Sequence, residues 1–164
     1  FMHIIINKKK LFINQYKVKC AIGKRGIGHK RKEGDHITPK GIFKIKSIFY
    51  RKDRITHFKS KIKSYAIEKN MGWCDESRSS KYNKLIRFPF KFRAEKLHRT
   101  DNVYDIILVL NYNHNPIKKN KGSAIFIHVA KKNYKNTAGC VAVNKKSLLK
   151  IIKLINKETK VRII

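Results

Sequence analysis

Short apolar segments separated by polar turns recur along almost the whole chain, and this pattern most restricts what the chain can fold into. The segments are rich in Ile, Val and aromatic residues, which is typical of β-strands. One stretch differs, because Leu148, Ile151, Ile152 and Ile155 fall on one face of a helix. Asn144 precedes that stretch, and its side-chain oxygen can cap a helix by accepting an otherwise unpaired backbone N–H. We therefore predict a mainly β fold, a β-rich α+β domain with one amphipathic helix near the C-terminus.

The predicted elements cover most of the sequence. The predicted helix runs from Asn144 to about Asn156. The region 69–101 is predicted to be irregular and polar, and a long segment of that kind is often functional. No repeat or flexible linker divides the chain, so we expect residues 1–164 to form a single domain. The predicted strands are His3–Ile6, Leu11–Asn14, Tyr16–Ile22, Gly41–Tyr50, Ile62–Glu68, Val103–Asn111, Ser123–Val129, a segment beginning at Cys140–Val143, and Lys160–Ile164; Gly23–Gly34 is predicted as a loop and Thr38–Gly41 as a turn.

The net charge of +31 comes from 41 Lys and Arg residues against 10 Asp and Glu residues. Such a charge attracts anionic polymers. The basic residues are scattered almost evenly, and no zinc-finger spacing, RNP-like aromatic motif or Gly-rich phosphate loop accompanies them. We therefore expect no specific nucleic-acid partner.

No apolar run approaches the length of a transmembrane segment. The apolar run Phe1–Ile6 is followed by Lys8–Lys10, whereas a signal peptide carries its basic residues before the apolar stretch. We therefore interpret the run as the first strand of the domain and see no signal peptide in this sequence.

Three cysteines, Cys20, Cys74 and Cys140, are far apart in the sequence and include no Cys-x-x-Cys pair. This spacing argues against a structural zinc site, and the odd number leaves at least one thiol unpaired. We expect neither a metal nor a cofactor. Cys20 fits the pattern of a small buried residue, and Cys74 fits it less well because it lies in a polar segment.

A histidine and a cysteine form the candidate catalytic pair. His128 ends an apolar strand, and Cys140 follows twelve positions later, directly after Gly139. A free thiol has a pKa of about 8.5, and a neighbouring imidazole can take its proton. Gly139 lacks a Cβ, so a substrate carbonyl can approach closely, and the N–H groups of Gly139 and Cys140 can face a developing oxyanion. From spacing alone, a structural histidine and a chance Gly-Cys pair remain an open alternative.

The segment resembles the L,D-transpeptidase catalytic domain family, the YkuD-type fold. The signature of that family is a strand-end His followed by Ser/Thr-x-Gly-Cys, which here is His128 and Thr137-Ala138-Gly139-Cys140. Upstream, the segment Thr38–Phe43 is similar to the Thr-Pro-x-Gly-x-Phe turn of the family. A shorter bacterial branch of the family is similar at Met71–Asp75, Tyr82–Asn83, Glu95–Leu97, Tyr104–Asp105 and Gly122–His128, so that the resemblance runs from about Cys20 to the helix after Cys140.

The resemblance implies a β-sandwich or partly closed barrel and a peptidoglycan L,D-transpeptidase. Cys140 would be the nucleophile that attacks a stem peptide after its third residue, a diamino acid, with release of D-alanine. An amine acceptor would then give a cross-link, and water would give an L,D-carboxypeptidase. His128 would act as general base and acid, the backbone carbonyl of Val129 would orient its ring, and the N–H groups of Gly139 and Cys140 would stabilise the oxyanion.

The predicted substrate-binding residues are Thr137, Trp73, Tyr104 and Arg99. Thr137 either holds the loop or contacts substrate, and the two aromatic residues either line the groove or belong to the core.

The chain also departs from the family pattern. Ala138 replaces a common His, and Ala142 replaces a common Arg whose loss removes a carboxylate clamp. Arg99, Lys131 and Lys132 are the candidate replacements for that cation.

The family acts on peptidoglycan outside the cytoplasmic membrane, in cell-wall cross-linking, remodelling and cell shape, so the resemblance implies the periplasm or cell envelope. Two alternatives stay open. The first is a module with a degenerate site that binds polyanions or the cell wall, which the charge, Ala138 and Ala142 favour. The second is a thiol hydrolase that acts on another amide or ester.

Overall fold

The computed structural model describes residues 2–164, and Phe1 of the predicted domain lies outside the described residues. The chain is 36% strand and 8% helix, which confirms the mainly β prediction. In residues 2–164, no helix is both long enough and apolar enough to cross a membrane.

Along residues 2–164 the elements follow one another as short strands, interrupted by one 3₁₀ turn at Lys132–Tyr134 and one α-helix. In chain order they are β1 (Ile4–Asn7), β2 (Lys10–Ile13), β3 (Tyr16–Lys19), β4 (Ile27–Gly28), β5 (Thr38–Pro39), β6 (Gly41–Tyr50), β7 (Ser64–Ala66), β8 (Met71–Cys74), β9 (Leu85–Arg87), β10 (Ala94–Lys96), β11 (Ile106–Leu110), β12 (Phe126–Val129), β13 (Val141–Val143), α1 (Lys145–Leu154) and β14 (Lys160–Ile163).

The main sheet has the order β13-β12-β11-β6-β14-β1-β2-β3, with β7 paired beside β6. Its two ends meet through Ala21, just after β3, and Ala142 in β13. The backbone N and O atoms of these residues form two reciprocal hydrogen bonds of 2.8 and 2.9 Å. The sheet therefore curls into a nearly closed barrel, and this confirms the predicted architecture.

Burial along the strands explains why they form these layers. In β1, Ile4 and Ile6 are buried while Ile5 is exposed, so one face points into the barrel. In β11 and β12 every residue is buried, because both faces are covered. Ile127 belongs to the barrel core, whereas Phe126 belongs to a second apolar cluster on the outside of the sheet.

The outer face of β11 and β12 is covered by a second, three-stranded sheet of order β10-β8-β9. Met71 and Trp73 of this sheet pack in the outer cluster with Phe126 and Val109. The prediction that 69–101 is irregular was therefore wrong, because these strands have only three or four residues, too few to show a period. Cys74 was also misjudged, since it ends β8 and is fully buried.

Two further comparisons concern the turn and the helix. Thr38–Pro39, predicted as part of a turn, forms β5 and pairs in parallel with β4, which lies inside the predicted loop Gly23–Gly34. The helix prediction is confirmed, because Asn144 accepts a 2.8 Å hydrogen bond from the Ser147 N–H. The helix ends at Leu154, two residues before the predicted end. Its apolar face joins the barrel core.

Candidate active site

Two parallel neighbouring strands place His128 and Cys140 on one face of the sheet. In the register of β12 and β13, His128 is opposite Ala142. Cys140 lies two residues before Ala142, so its side chain points to the same face of the sheet as the side chain of Ala142. That side is the outer face, where Cys140 packs against the cluster that contains Phe126. His128 and Cys140 both line a cavity of about 280 Å³.

The His128 ring is held in one orientation. Its Nδ1 lies 2.9 Å from the carbonyl oxygen of Val129, and a carbonyl can only accept, so Nδ1 carries the proton. Nε2 is then the basic nitrogen. Within residues 2–164, Nε2 has no hydrogen-bond partner. Every fully buried side-chain nitrogen or oxygen in these residues has one, so Nε2 is not fully buried and borders the cavity that His128 lines. Burial lowers the pKa of His128 to about 4, against the opposing effect of the Val129 hydrogen bond, so the ring is neutral at pH 7.

The Cys140 thiol is half-buried and protonated. Its Sγ donates to the carbonyl oxygen of Ala124 at 3.0 Å and accepts from the N–H of Phe126 at 3.4 Å. Burial raises the pKa of this thiol to about 12, although the Phe126 N–H acts in the opposite direction. The resting pair is therefore a neutral thiol and a neutral imidazole. The thiol hydrogen is directed at the carbonyl oxygen of Ala124 and not at Nε2 of His128.

The loop before Cys140 is closed by the hydroxyl of Thr137. This hydroxyl donates to the Cys140 carbonyl oxygen at 2.6 Å and accepts from the Gly139 N–H at 3.1 Å. These contacts support the loop-holding role for Thr137, which also lines the cavity. Because the Gly139 N–H already has an acceptor, it can meet an oxyanion only by leaving Thr137. The Cys140 N–H is the other predicted donor.

Gly139 occupies a position that other residues rarely adopt. Its φ is +143°, and an added Cβ would lie 3.0 Å from the carbonyl oxygen of Ile37. The glycine thus allows the loop before Cys140 to approach the segment between β4 and β5 closely.

A buried ion pair behind Gly139 was not predicted from the sequence. Lys30 Nζ lies 2.6 Å from Asp35 Oδ1 and 3.2 Å from the Ile37 carbonyl oxygen, and both side chains are almost inaccessible. Burial alone would raise the pKa of Asp35, but Lys30 and three backbone N–H groups hold it well below its usual range. Lys30 Nζ is also 3.5 Å from the point where a Cβ on Gly139 would lie. Nothing in the Lys- and Gly-rich sequence distinguishes this lysine from its neighbours.

Tyr104 and Arg99 line the same cavity as His128 and Cys140. The Tyr104 ring packs edge-on against the His128 ring, with centroids 5.4 Å apart, and its hydroxyl donates to Glu95. The Arg99 guanidinium lies 5.4 Å from the centroid of the Tyr104 ring and pairs with Asp101 at 2.8 and 2.6 Å. Arg99 therefore reaches the cavity with its charge partly neutralised.

The remaining predicted residues separate into two groups. Lys131 lines the cavity of Cys140, whereas Lys132 is not among the residues that line it. Trp73 lies on the wall of a neighbouring cavity, where it packs edge-on against Phe126 at 5.2 Å between centroids. The structure thus places Tyr104, Arg99 and Lys131 in the cavity that Cys140 lines, and Trp73 in the neighbouring one.

Asn83 connects the covering sheet to the residues that face the thiol, and sequence reasoning missed it apart from the family resemblance at Tyr82-Asn83. Its Oδ1 accepts from Trp73 Nε1 at 2.9 Å and from the Ala124 N–H at 3.0 Å. Ala124 has a φ of +53°, an unusual value for alanine, and its carbonyl holds the thiol hydrogen. Asn83 therefore fixes a strained backbone directly opposite Cys140.

The cavity carries charges of both signs. Three of the ten acidic residues of the chain line it, namely Glu33, Asp75 and Glu95. Glu33 accepts hydrogen bonds from the hydroxyls of Tyr82 and Ser123, at 2.7 and 2.5 Å. The basic residues on the same wall are Lys30, Arg99, Lys131 and Lys135. In a chain of net charge +31, the cavity therefore presents carboxylates as well as cations.

Comparison with known proteins gives one match. The family model of the YkuD L,D-transpeptidase catalytic domain matches residues 2–163, which is nearly the whole chain. No curated protein matches the chain.

Proposed function

The chain belongs to the L,D-transpeptidase catalytic domain family, and from this premise we propose that Cys140 forms an acyl-enzyme with a peptidoglycan stem peptide. The thiol attacks the carbonyl that follows the third residue of the stem, a diamino acid. The peptide bond to the terminal D-alanine breaks, and a thioester remains on Cys140. An amine of a second stem then takes the acyl group as a cross-link, and water is the competing acceptor.

The observation that carries this proposal is the tautomer of His128. Its Nδ1–H is held by Val129 at 2.9 Å, so Nε2 faces the cavity of Cys140 as a neutral base. A thiol with a pKa of about 12 is almost entirely protonated at pH 7. It therefore becomes a nucleophile only when a neighbouring base removes its proton.

One nitrogen, Nε2 of His128, accepts and returns the proton in both halves of the reaction. As Sγ bonds to the carbonyl carbon, its proton moves to Nε2 of His128. The same proton passes to the leaving amine as the C–N bond breaks. In the second half, Nε2 takes a proton from the attacking amine and returns it to Sγ as the thioester opens. The oxyanion of each tetrahedral intermediate is stabilised by the N–H group of Cys140, and by that of Gly139 once it has left the hydroxyl of Thr137.

The charges of the cavity support a zwitterionic substrate. A diamino acid inside a stem peptide presents both an ammonium and a carboxylate, and the wall offers carboxylates as well as Arg99 and Lys131. Ala142 stands where many family members have Arg, so these two cations are the candidates for holding the substrate carboxylate. Tyr104 contributes an apolar surface next to His128.

The reaction can be tested with purified muropeptides that carry tetrapeptide stems. We expect release of D-alanine and a new cross-linked product, and the fraction of tripeptide product measures hydrolysis by water. Cys140→Ala should abolish both products, whereas Cys20→Ala should retain them because Cys20 is buried in the barrel core. Failure of the wild-type protein to release D-alanine from any tetrapeptide would contradict the proposal.

The charge of +31 supports a second, weaker expectation, affinity for anionic cell-wall polymers. Binding of teichoic-acid-like polyphosphate should fall steeply as salt rises. Absence of binding at low salt would refute it.

A further inference from the structure

A second cavity, of about 680 Å³, lies on the same outer face of β11 and β12, and no step of the proposed reaction uses it. Its floor is apolar and buried, and includes Phe49, Trp73, Val109 and Phe126. The Phe126 ring packs edge-on against both Trp73 of this cavity and Tyr104 of the active-site cavity. The two cavities are thus neighbours with an aromatic wall between them. The larger one has the size and the apolar lining of an ordinary small-molecule site.

The mouth of this second cavity is basic. Lys46, Lys84, Arg87 and His114 line it at exposed positions, and no Asp or Glu is among its described lining residues. Arg87 already pairs with Glu68 at 2.5 Å. Within residues 2–164, neither Lys46 nor Lys84 has a carboxylate partner. The cavity therefore combines an apolar floor with two ammonium groups at its opening that have no carboxylate partner within the described residues.

The contact between Lys46 and His114 shows how close together the basic side chains lie. Lys46 Nζ lies 3.0 Å from Nδ1 of His114, a geometry in which the ammonium donates to a neutral imidazole. Burial, together with the charges of Lys46 and Lys84, lowers the pKa of His114, and burial lowers the pKa of Lys46. An anion bound among these groups would relieve their mutual repulsion.

We propose that the second cavity binds a small amphiphilic carboxylate, with its apolar body on the floor and its carboxylate between Lys46 and Lys84. A cationic amphiphile gains the same apolar contact but meets like charge at the mouth. A purely polar anion leaves the floor unfilled. This site goes beyond the proposed reaction, because it uses neither Cys140 nor His128.

Trp73 provides a direct readout, since it is the only tryptophan of the chain and lies on the floor of this cavity. Titration with decanoate, below its micelle concentration, should change the Trp73 emission in a saturable way. Decyltrimethylammonium should bind at least tenfold more weakly. In NMR titrations, decanoate should raise the pKa of His114, a change that unspecific adsorption elsewhere would not produce.

Variants test the charges at the mouth. Lys46→Gln combined with Lys84→Gln should weaken decanoate binding at least tenfold, whereas Lys153→Gln combined with Lys157→Gln removes two charges elsewhere and should not weaken it. Leu85→Glu places a carboxylate at a partly exposed position in the lining and should abolish binding without disturbing the core. That variant also serves if the double lysine variant fails to fold.

The result is separable from that of the proposed reaction. Cys140→Ala should bind decanoate like the wild type, even if no acyl-transfer activity is found. Equal binding of the two amphiphiles, no saturable signal, or equal losses in both lysine pairs would overturn the proposal.

Discussion

His128 on β12 is the register partner of Ala142 on β13, so their side chains lie next to each other on the face of the sheet that carries Cys140. Ala142 lines the cavity and is only 1% exposed. Its backbone is also bonded twice to Ala21, which fixes this position beside His128. The alanine methyl group leaves the cavity open here, at the position where many family members have Arg.

Ala142→Leu should lower kcat/KM for D-alanine release by about tenfold or more, because its branched apolar side chain fills the cavity beside His128 and, unlike the arginine of many family members, cannot bind the substrate carboxylate. Ala142→Gly is the matched control, since it leaves the cavity open, and should stay within a few-fold of wild type. A leucine variant with wild-type kinetics would show that the space beside His128 is not used.

The pH profile should reflect the neutral histidine. His128 must be unprotonated to act as a base, and burial lowers its pKa to about 4. We therefore expect kcat/KM to stay level as pH falls from 7 to about 5 and to decline only as pH passes through about 4. A free imidazole would begin to lose activity near its ordinary pKa of about 6.5. An acidic limb centred at 6.5 or above would contradict the burial argument.

Gly139→Ala should reduce turnover by about 10²-fold or more, because it strains a backbone at φ +143° and pushes the loop away from the Ile37 carbonyl. Gly28→Ala is a suitable control, since the nearest atom to its added Cβ is 3.8 Å away. Both variants can be assayed by D-alanine release. Full activity of Gly139→Ala would exclude a role for the tight loop.

The ion pair behind the loop should stabilise the fold. Asp35→Asn leaves Lys30 buried without a counter-charge, which typically costs about 3–5 kcal/mol. We expect a lower free energy of unfolding in urea, together with reduced activity, because the pair supports the segment against Gly139. Arg78→Gln at an exposed pair with Glu76 should cause no measurable change. Equal stability of the two variants would refute this role.

Much of the fold follows from local signals in the sequence. Gly41–Tyr50 was predicted with the bounds that β6 has, because its ten residues carry enough apolar positions to show a period. Asn144 was identified as a helix cap from its side-chain chemistry alone. His128 and Cys140 could be paired because each lies at the boundary of an apolar strand. The extent of the single domain stays a prediction.

What the sequence did not reveal depends on tertiary burial. β8 is buried along its whole length, so it shows no alternation, and it was predicted to be irregular. Lys30 differs from the other lysines only because Asp35 and Ile37 fold around it. Trp73 could be recognised as an aromatic residue near the site, but only the position of Phe126 decides which of the two cavities it lines.

The central claim, that Cys140 carries the acyl group, is tested most directly by intact-protein mass spectrometry after incubation with a stem tetrapeptide or a carbapenem. The account predicts one covalent adduct on the wild-type protein and on Cys20→Ala, and none on Cys140→Ala. An adduct that persists in Cys140→Ala, or a wild-type protein that forms none with any acyl donor, would contradict it.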